Sequence, residues 1–478
     1  MRGRAEALRR LADETWDVLV IGGGITGAGV ALDAASRGLR TALVERDDFA
    51  AGTSSRSSKF VHGGLRYLRS RDYGLVAQSV AEQRRLLRNA PHLVRPMAMR
   101  LPVAGGARRL VTGALLFTHD LAAGTGISRP VDGGIVFHEA QVDDARLTLA
   151  VLRTAVLDHG AVAVNACPVV AVDGEGVTVA SGATARARVV VNAAGPWAEG
   201  VRALAGPGQA GPRLRPTKGV HVVVARERVP VLGDRCGLAV PDGRGAFAFV
   251  APWEGRVIVG TTDTPYDGGA VECTDHDVEL LLSKVNRALD DPLTPDDVLG
   301  SWAGLRPLVE GGDGRTELAR RHLVAAGHEG MVTVVGGKLT TYRRMAADAV
   351  DVVCARLGRR IPCRTARLPI RGAGTGEGRL WLRYGTEAAG VERLGLGRPL
   401  VPGLPYLQGE AVWAVREEMA LTLEDVLSRR TRATILDARA AAAAAPGVAA
   451  LLAPELGWDE AETRRQVDGY LATTPSSR

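Results

Sequence analysis

The spacing of three glycines near the N-terminus constrains the fold of this chain more than any other feature. Gly22, Gly24 and Gly27 follow a short apolar run, residues 17–21, and open a segment of helical character, residues 26–36. The first glycine permits a tight turn, the second lets a pyrophosphate approach the backbone, and the third lets the helix pack against the strand. The free N–H groups that begin such a helix face the phosphates. The pattern therefore predicts a Rossmann-like unit that binds a dinucleotide.

A second strand and an acidic residue extend this unit. Residues 41–44 are mostly apolar, and Glu45 follows them directly. A carboxylate at this point suits hydrogen bonding to a ribose hydroxyl and repels a 2′-phosphate. The sequence thus favours FAD over NADP, and the alternative is a glycine-rich turn that holds no ligand.

Two further segments belong to the same chemistry. Residues 53–59 (Thr-Ser-Ser-Arg-Ser-Ser-Lys) precede residues 62–67 (His-Gly-Gly-Leu-Arg-Tyr), and residues 334–342 repeat the order of strand and then glycines. A single glycine motif is weak evidence, but the three segments together indicate a flavin enzyme.

Length and composition describe a globular protein of several domains. A chain of 478 residues with 46% hydrophobic and 24% charged residues predicts two or three domains. The net charge of +7 comes without a nucleic-acid-binding motif, so we expect solvated surface arginines and no nucleic-acid partner. The five cysteines lack metal or disulfide spacing and predict reduced thiols without a metal site.

Neither a secretion signal nor a membrane span is expected. The basic residues 1–10 lack a following apolar core. The most apolar stretch, residues 440–453, is alanine-rich, broken by Pro446 and too short to cross a bilayer. These features predict a cytoplasmic protein.

Hydrophobic periodicity predicts an α/β fold with three parts: a Rossmann-like FAD-binding domain, an inserted antiparallel β-sheet substrate domain and a C-terminal helical domain. The expected FAD-binding domain is discontinuous and comprises residues 1–80, 140–215 and 300–360. The expected substrate (cap) domain comprises residues 81–139 and 216–299, and the helical domain residues 361–478. The predicted elements beyond the first unit are helices at 73–89, 147–159, 342–357, 410–420, 422–433 and 459–470, and strands at 189–191, 219–224, 246–250 and 256–260. Asp459 with Glu462 fits an N-terminal capping pattern for the last of these helices.

The chain resembles the FAD-dependent, quinone-linked glycerol-3-phosphate dehydrogenases. The segments that carry the resemblance occur in the family's order at residues 22–29, 53–59, 62–68, 142–147, 192–197, 260–263, 304–308 and 336–343. The resemblance implies oxidation of the C2 alcohol of sn-glycerol 3-phosphate to dihydroxyacetone phosphate, with hydride transfer to flavin N5 and reoxidation by a quinone. It also implies peripheral contact with the inner face of the cell membrane, and a homodimer is a candidate assembly.

This reaction requires cations for a dianionic phosphate, a group that accepts the hydroxyl proton and polar support for the developing alkoxide. A lysine beside a helix N-terminus suits the phosphate, and a histidine titrates near neutrality. The expected catalytic residues are His221, Arg306, Arg66 and Tyr67. The expected phosphate-binding residues are Arg320, Lys338 and Thr341. The expected FAD-binding residues are Gly22, Gly24, Gly27, Glu45, Thr53, Ser54, Ser55, Ser58, His62, Gly63, Gly64, Gly195, Trp197, Gly337, Lys338 and Leu339.

Other functions remain open at this point. A glycerol-3-phosphate oxidase performs the same oxidation but delivers electrons to oxygen. An amine oxidase of the glycine-oxidase type shares the glycine run and Glu45, but Lys338 and several arginines exceed what one substrate carboxylate needs. A flavoprotein that binds FAD without chemistry is the alternative from another class.

Overall fold

The computed structural model describes residues 1, 3–64, 72–103, 105–206, 211–230, 236–241, 247–310, 321–327 and 331–474. Within these ranges the chain forms eighteen β-strands and fourteen α-helices. The strands are β1 (Thr15–Ile21), β2 (Thr41–Val44), β3 (Phe60–Val61), β4 (Arg95–Pro102), β5 (Arg129–Val131), β6 (Gly134–Gln141), β7 (Val162–Val164), β8 (Val169–Asp173), β9 (Gly176–Val179), β10 (Thr184–Asn192), β11 (Thr217–Ala225), β12 (Cys236–Pro241), β13 (Phe247–Trp253), β14 (Arg256–Gly260), β15 (Thr264–Pro265), β16 (Val298–Arg306), β17 (Leu323–Ala326) and β18 (Met331–Val335). The helices are α1 (Arg4–Asp13), α2 (Ile25–Ser36), α3 (Tyr73–Asn89), α4 (Gly106–Ala123), α5 (Asp144–Leu157), α6 (Ala198–Ala203), α7 (Asp275–Val285), α8 (Tyr342–Arg356), α9 (Arg379–Tyr384), α10 (Ala388–Glu392), α11 (Gln408–Glu418), α12 (Ala433–Leu436), α13 (Ala438–Leu456) and α14 (Glu460–Thr473).

The first sheet confirms the predicted Rossmann-like core. Its order is β17-β18-β10-β1-β2-β7, parallel from β18 to β7, with β17 antiparallel at one edge and the β8–β9 hairpin attached through β9. The central strands are apolar on both faces, as buried parallel strands must be. All residues of α2 except Thr26 are buried, because α2 packs between the sheet and helices α5 and α8.

The second sheet has the order β15-β11-β14-β13-β12-β4-β6-β3, with β16 beside β11 and β5 beside β6. Its pairs are antiparallel apart from β12 with β4. Helix α7 covers one face through Leu281, Leu282 and Val285, which leaves the other face for the site. Strands β3 and β16 both belong to this sheet, where β3 pairs with β6 and β16 pairs with β11. The expected domain limits place both strands in the FAD-binding domain, and those limits stay a prediction.

The C-terminal region is helical, as predicted, but one predicted helix is wrong. Residues 422–433 do not form a continuous α-helix: Asp425–Arg430 forms a π-helical turn, and α12 begins only at Ala433. In this wider turn, Arg429 and Arg430 each donate to the carboxylate of Asp48 at 2.6 Å. Asp48 lies about 380 positions earlier in the chain. Long-range ion pairs therefore override the local helical pattern at this point.

Two features of the last helices concern the remaining sequence expectations. Pro446, which interrupts the apolar stretch of residues 440–453, lies inside α13 without ending the helix. Asp459 accepts a hydrogen bond from the backbone N–H of Glu462 at 2.7 Å and caps α14 as predicted. Among the described residues, no helix combines the length and apolar composition that a membrane span requires.

Candidate functional site

The glycine turn between β1 and α2 has the geometry that the sequence predicts. Gly22 has a φ of 114°, and a Cβ there would stand 2.7 Å from the carbonyl oxygen of Ala193. A Cβ on Gly27 would stand 1.9 Å from the carbonyl oxygen of Gly22, so any side chain would separate helix and turn. Helix α2 begins without a carboxylate in its first turn, which leaves its N-terminus suited to an anion.

Glu45 closes the same turn at the end of β2. Its carboxylate accepts hydrogen bonds from the backbone N–H of Gly23 at 2.5 Å and of Asp47 at 2.9 Å. Burial raises its pKa, although these hydrogen bonds oppose the shift. Ser54 also faces the turn, where its hydroxyl accepts from Ile25 N at 2.8 Å. The turn thus offers backbone donors for a pyrophosphate and a carboxylate for a ribose, which are the groups that an adenine dinucleotide presents.

A cavity of about 620 Å³ lies against the second sheet, beside the turns that follow β3 and β18. One end is polar and the other apolar. The polar end is lined by Thr53, Arg56, Ser57, Ser58, His221, Thr261, Arg306, Lys338 and Thr340. The apolar end is lined by Phe60, Leu101, Leu115, Leu116, Phe137, Ala239, Phe247 and Phe249.

The two downstream glycine segments meet at this cavity. The hydroxyl of Thr340 donates to the carbonyl oxygen of His62 at 3.2 Å, which joins the turn after β18 to the segment after β3. Gly64 and Gly337 both line the cavity and have φ values of 90° and 70°. These positive φ values explain why glycine occupies both turns.

His221 on β11 is buried beside the polar end of the cavity. Its Nε2 lies 2.8 Å from the Ser58 hydroxyl. Its ring stacks on the Trp302 ring, with the ring centroids 4.8 Å apart and an interplanar angle of 8°. Burial holds the pKa of His221 well below its usual value, and the positive charges of Lys59 and Arg306 add to this effect. His221 is therefore neutral near pH 7 and can accept a proton.

Arg306 ends β16 at the cavity. Its guanidinium donates to Thr261 Oγ1 at 3.0 Å, to the Thr262 carbonyl at 2.9 Å and to Asp263 at 3.2 Å. These contacts fix a cation opposite His221 on the same sheet, because β16 and β14 both neighbour β11.

Lys338 and Thr341 lie in the turn that leads into α8. Lys338 Nζ donates to the Ser79 hydroxyl at 3.3 Å, and the residue lines the cavity. Thr341 is buried, and its hydroxyl donates to the Lys338 carbonyl at 3.3 Å. Thr340, rather than Thr341, contributes to the cavity wall.

The remaining predicted residues divide between wall and support. Ser58, His62, Leu339 and Thr53 line the cavity, whereas the Ser55 hydroxyl donates to the Gly52 carbonyl at 3.4 Å. Gly195 and Trp197 form a short turn after β10, where Arg46 lies over the Trp197 ring. Three predicted residues lie outside the described residues, namely Arg66, Tyr67 and Arg320.

Sequence reasoning overlooked two cations within a segment it had singled out. Arg56 lines the cavity, where burial lowers its pKa, as do the nearby charges of Arg429 and Arg432. Lys59 is fully buried, and its ammonium donates to Asp144 at 2.8 Å. Burial lowers the pKa of Lys59 to about 7, and Arg432 adds to the shift. The five serine and threonine residues in positions 53–58, which surround Arg56 and precede Lys59, were the sequence signal for these two cations.

Comparisons with known proteins agree with this geometry. A family profile described as "FAD dependent oxidoreductase" matches residues 17–343, and one described as "C-terminal domain of alpha-glycerophosphate oxidase" matches residues 377–463. Glycerol-3-phosphate dehydrogenase 2 of Mycobacterium tuberculosis is 38% identical, over 98% of this chain and 90% of the relative. The crystal structure of the glycerol-3-phosphate dehydrogenase from Bacillus halodurans, complexed with FAD, superposes with a TM-score of 0.78 at 31% identity and covers 98% of this chain and 96% of its own. Glycine oxidase from Geobacillus kaustophilus, at 21% identity and a TM-score of 0.53, shares the fold alone.

The fold, the glycine turns and the first profile define a flavin-dependent oxidoreductase whose cofactor is FAD. The relatives named glycerol-3-phosphate dehydrogenase specify the family within this class of oxidoreductases. The chain belongs to the family of FAD-dependent glycerol-3-phosphate dehydrogenases.

Proposed function

We propose that this protein oxidises sn-glycerol 3-phosphate at C2 to dihydroxyacetone phosphate and passes the electrons to a membrane quinone. The observation that carries the proposal is a neutral histidine, His221, that shares one cavity with the cations Arg306 and Lys338. FAD, when bound, supplies the acceptor for the hydride that leaves C2.

His221 is the base in this proposal. Oxidation of an alcohol removes a proton from oxygen as a hydride leaves carbon, so a proton acceptor at the cavity is required, and a neutral imidazole can serve as one. The Ser58 hydroxyl, 2.8 Å from Nε2, and the Trp302 ring fix the orientation of the imidazole. The cations nearby stabilise the alkoxide that develops on the substrate.

Lys338 and Arg306 recognise the phosphate. Lys338 lies in the turn before α8 and lines the cavity, where its ammonium also donates to the Ser79 hydroxyl of α3. A phosphate held there positions C2 without taking part in the chemistry. An amino-acid substrate offers one carboxylate and needs fewer cations, which weighs against an amine oxidase.

A quinone suits the apolar end of the cavity. Leu115 of α4 lines this end and its side chain is half exposed, so α4 borders the cavity. The outer face of α4 exposes Leu110, Val111, Phe117 and Leu121. Such a face inserts into a lipid interface, and we therefore propose peripheral attachment to the inner face of the cell membrane.

One experiment tests the substrate and the acceptor in sequence. Anaerobic addition of glycerol 3-phosphate should bleach the flavin absorbance of the purified protein, and glycerol should bleach it far more slowly. The reduced protein is then mixed either with vesicles that contain a quinone or with dissolved oxygen. Fast reoxidation by quinone and slow reoxidation by oxygen is the expected result. Fast reoxidation by oxygen alone, with release of peroxide, would make the protein a glycerol-3-phosphate oxidase.

A further inference from the structure

A row of histidines and carboxylates leads from the cavity towards the surface between α4 and β6. Its members lie outside the polar end of the cavity described above. We call them the histidine–carboxylate row, which consists of His62, Glu139, His119, Asp120 and His138.

The inner part of the row begins at the cavity wall. His62 and Glu139 both line the cavity, and His62 Nδ1 lies 3.5 Å from Glu139 Oε1. Glu139 is 2% exposed, and its Oε2 accepts from the backbone N–H of Gly63 at 3.0 Å and from Gln83 at 3.2 Å. A buried carboxylate thus contacts the histidine that faces the cofactor and substrate space.

The outer part of the row joins α4 to β6. Asp120 is fully buried; its carboxylate lies 3.3 Å from His119 Nδ1 and 3.0 Å from His138 Nδ1, and it accepts from the Ser128 hydroxyl at 2.7 Å. The His138 side chain is 21% exposed, so the row reaches solvent at this end.

The two parts meet at Gly63. A Cβ on Gly63 would stand 2.2 Å from His119 Nε2, so this nitrogen lies directly against the glycine whose N–H binds Glu139. His119 Nε2 is buried and has no well-formed hydrogen bond within the described ranges. Burial lowers the pKa of His119, but the bond to Asp120 and the charge of Glu139 outweigh it and raise the pKa above its usual value.

We propose that the histidine–carboxylate row conducts the substrate proton from the cavity to solvent. The proposal rests on the alcohol oxidation proposed above. Converting the C2 alcohol to a ketone breaks an O–H and a C–H bond: the hydride leaves with both electrons, and the hydroxyl proton passes to a base at the cavity. An acceptor of electrons alone leaves this proton to be released to solvent, whereas a quinone takes up two protons as it becomes a quinol. His221 has the cations Lys59 and Arg306 around it, which disfavour its keeping that proton. His62 lines the same cavity and begins a row of titratable side chains that ends at the partly exposed His138.

A purely structural role predicts a different behaviour. The hydrogen bonds of Asp120 also hold α4 against β6. Loss of these hydrogen bonds would reduce activity in weak and strong buffer alike. A proton path, in contrast, can be replaced by a small diffusible base. Chemical rescue therefore separates the two roles.

The experiment uses ferricyanide, which accepts electrons alone, so that each turnover of glycerol 3-phosphate releases two protons. In weak buffer, His119→Gln should turn over about tenfold more slowly or worse, because the amide keeps the shape but carries no proton. His119→Ala should be slow in weak buffer and regain most of its turnover when imidazole is added. His92→Gln removes another buried histidine, outside the row, and should behave as wild type.

The outcomes distinguish this proposal from the proposed function. Wild-type turnover of His119→Gln would overturn the path, and so would an FAD-loaded His119→Ala that imidazole does not restore. Failure of the wild-type protein to oxidise glycerol 3-phosphate would refute the proposed function itself.

Discussion

His221 is the residue whose chemistry depends most on its surroundings. Replacing it with glutamine keeps a polar contact to Ser58 but removes the proton acceptor, so flavin bleaching by glycerol 3-phosphate should slow by about 10²–10⁴-fold. The depressed pKa of His221 also means that wild-type kcat/KM should stay level from alkaline pH down past 6.5. Stopped-flow absorbance across pH measures both effects, with FAD content as the control. A wild-type rate that already falls by half between pH 8 and 7 would contradict the neutral histidine.

Lys338 separates substrate recognition from cofactor retention. If Lys338 binds the phosphate as proposed, Lys338→Ala removes one charged contact, worth about 1.5–3 kcal/mol, and kcat/KM for glycerol 3-phosphate should fall roughly ten- to a hundredfold. The slow oxidation of glycerol, which has no phosphate, should change little, and Lys338→Arg should recover part of the loss. Equal losses with both substrates would assign Lys338 to the cofactor alone.

Residue-scale predictions from sequence succeeded where the chemistry was local. The turn at Gly22 and the capping of α14 by Asp459 follow from neighbours within a few positions. The partners of Lys59 could not be predicted in this way, because Asp144 is 85 positions away along the chain. The histidine–carboxylate row was missed for the same reason, since tertiary packing alone joins His119 to Gly63.

At the scale of elements, the predicted α3, β2 and β14 match the structure residue for residue, and α4 was not predicted at all. Strong amphipathic or β-branched patterns specify the first three. Helix α4 instead places Leu110 and Val111 on its outer side, so its pattern lacks the polar face that identifies a surface helix. The apolar outer side that made α4 difficult to predict from sequence is also the feature that suggests a lipid contact.

Helix α4 should therefore control attachment and quinone access without affecting the oxidation itself. The exposed residues Leu110 and Leu121 lie outside the cavity lining. Because a buried leucine side chain contributes about 1.5–3 kcal/mol, the double variant Leu110→Glu, Leu121→Glu should bind anionic vesicles at least about tenfold more weakly. Its turnover with quinone in vesicles should fall, and that with ferricyanide should not.

Leu471→Glu provides a matched control, because it changes an exposed leucine on α14, at the other end of the chain. Its vesicle binding should equal that of the wild type. If the wild type and both variants sediment equally with vesicles, the lipid contact is not made by α4.

Across the whole molecule, buried ion pairs dock the C-terminal helices onto the FAD-binding unit. Asp48 binds Arg429 and Arg430, and Glu418 binds Arg146 at 2.7 Å. Burial raises the pKa of both carboxyl groups, but the arginines outweigh it and lower each pKa to about 2. Each pair joins residues more than 250 positions apart, so the sequence shows no sign of this interface.

The lowered pKa values determine how the protein responds to acid. A carboxylate whose folded pKa lies below its unfolded value stabilises the fold above the unfolded pKa and loses this contribution as pH falls through the folded pKa. The stability due to Asp48 and Glu418 is therefore complete above about pH 4.5 and is lost between about pH 4.5 and 2, on the order of 2–3 kcal/mol for each group. Thermal unfolding followed by tryptophan fluorescence should show the midpoint fall across this window. Asp48→Asn should lower the midpoint at pH 7 and make the acid dependence shallower, because it removes one of the titrations that contribute to it. A variant with unchanged slope would show that Asp48 does not dock the helical region.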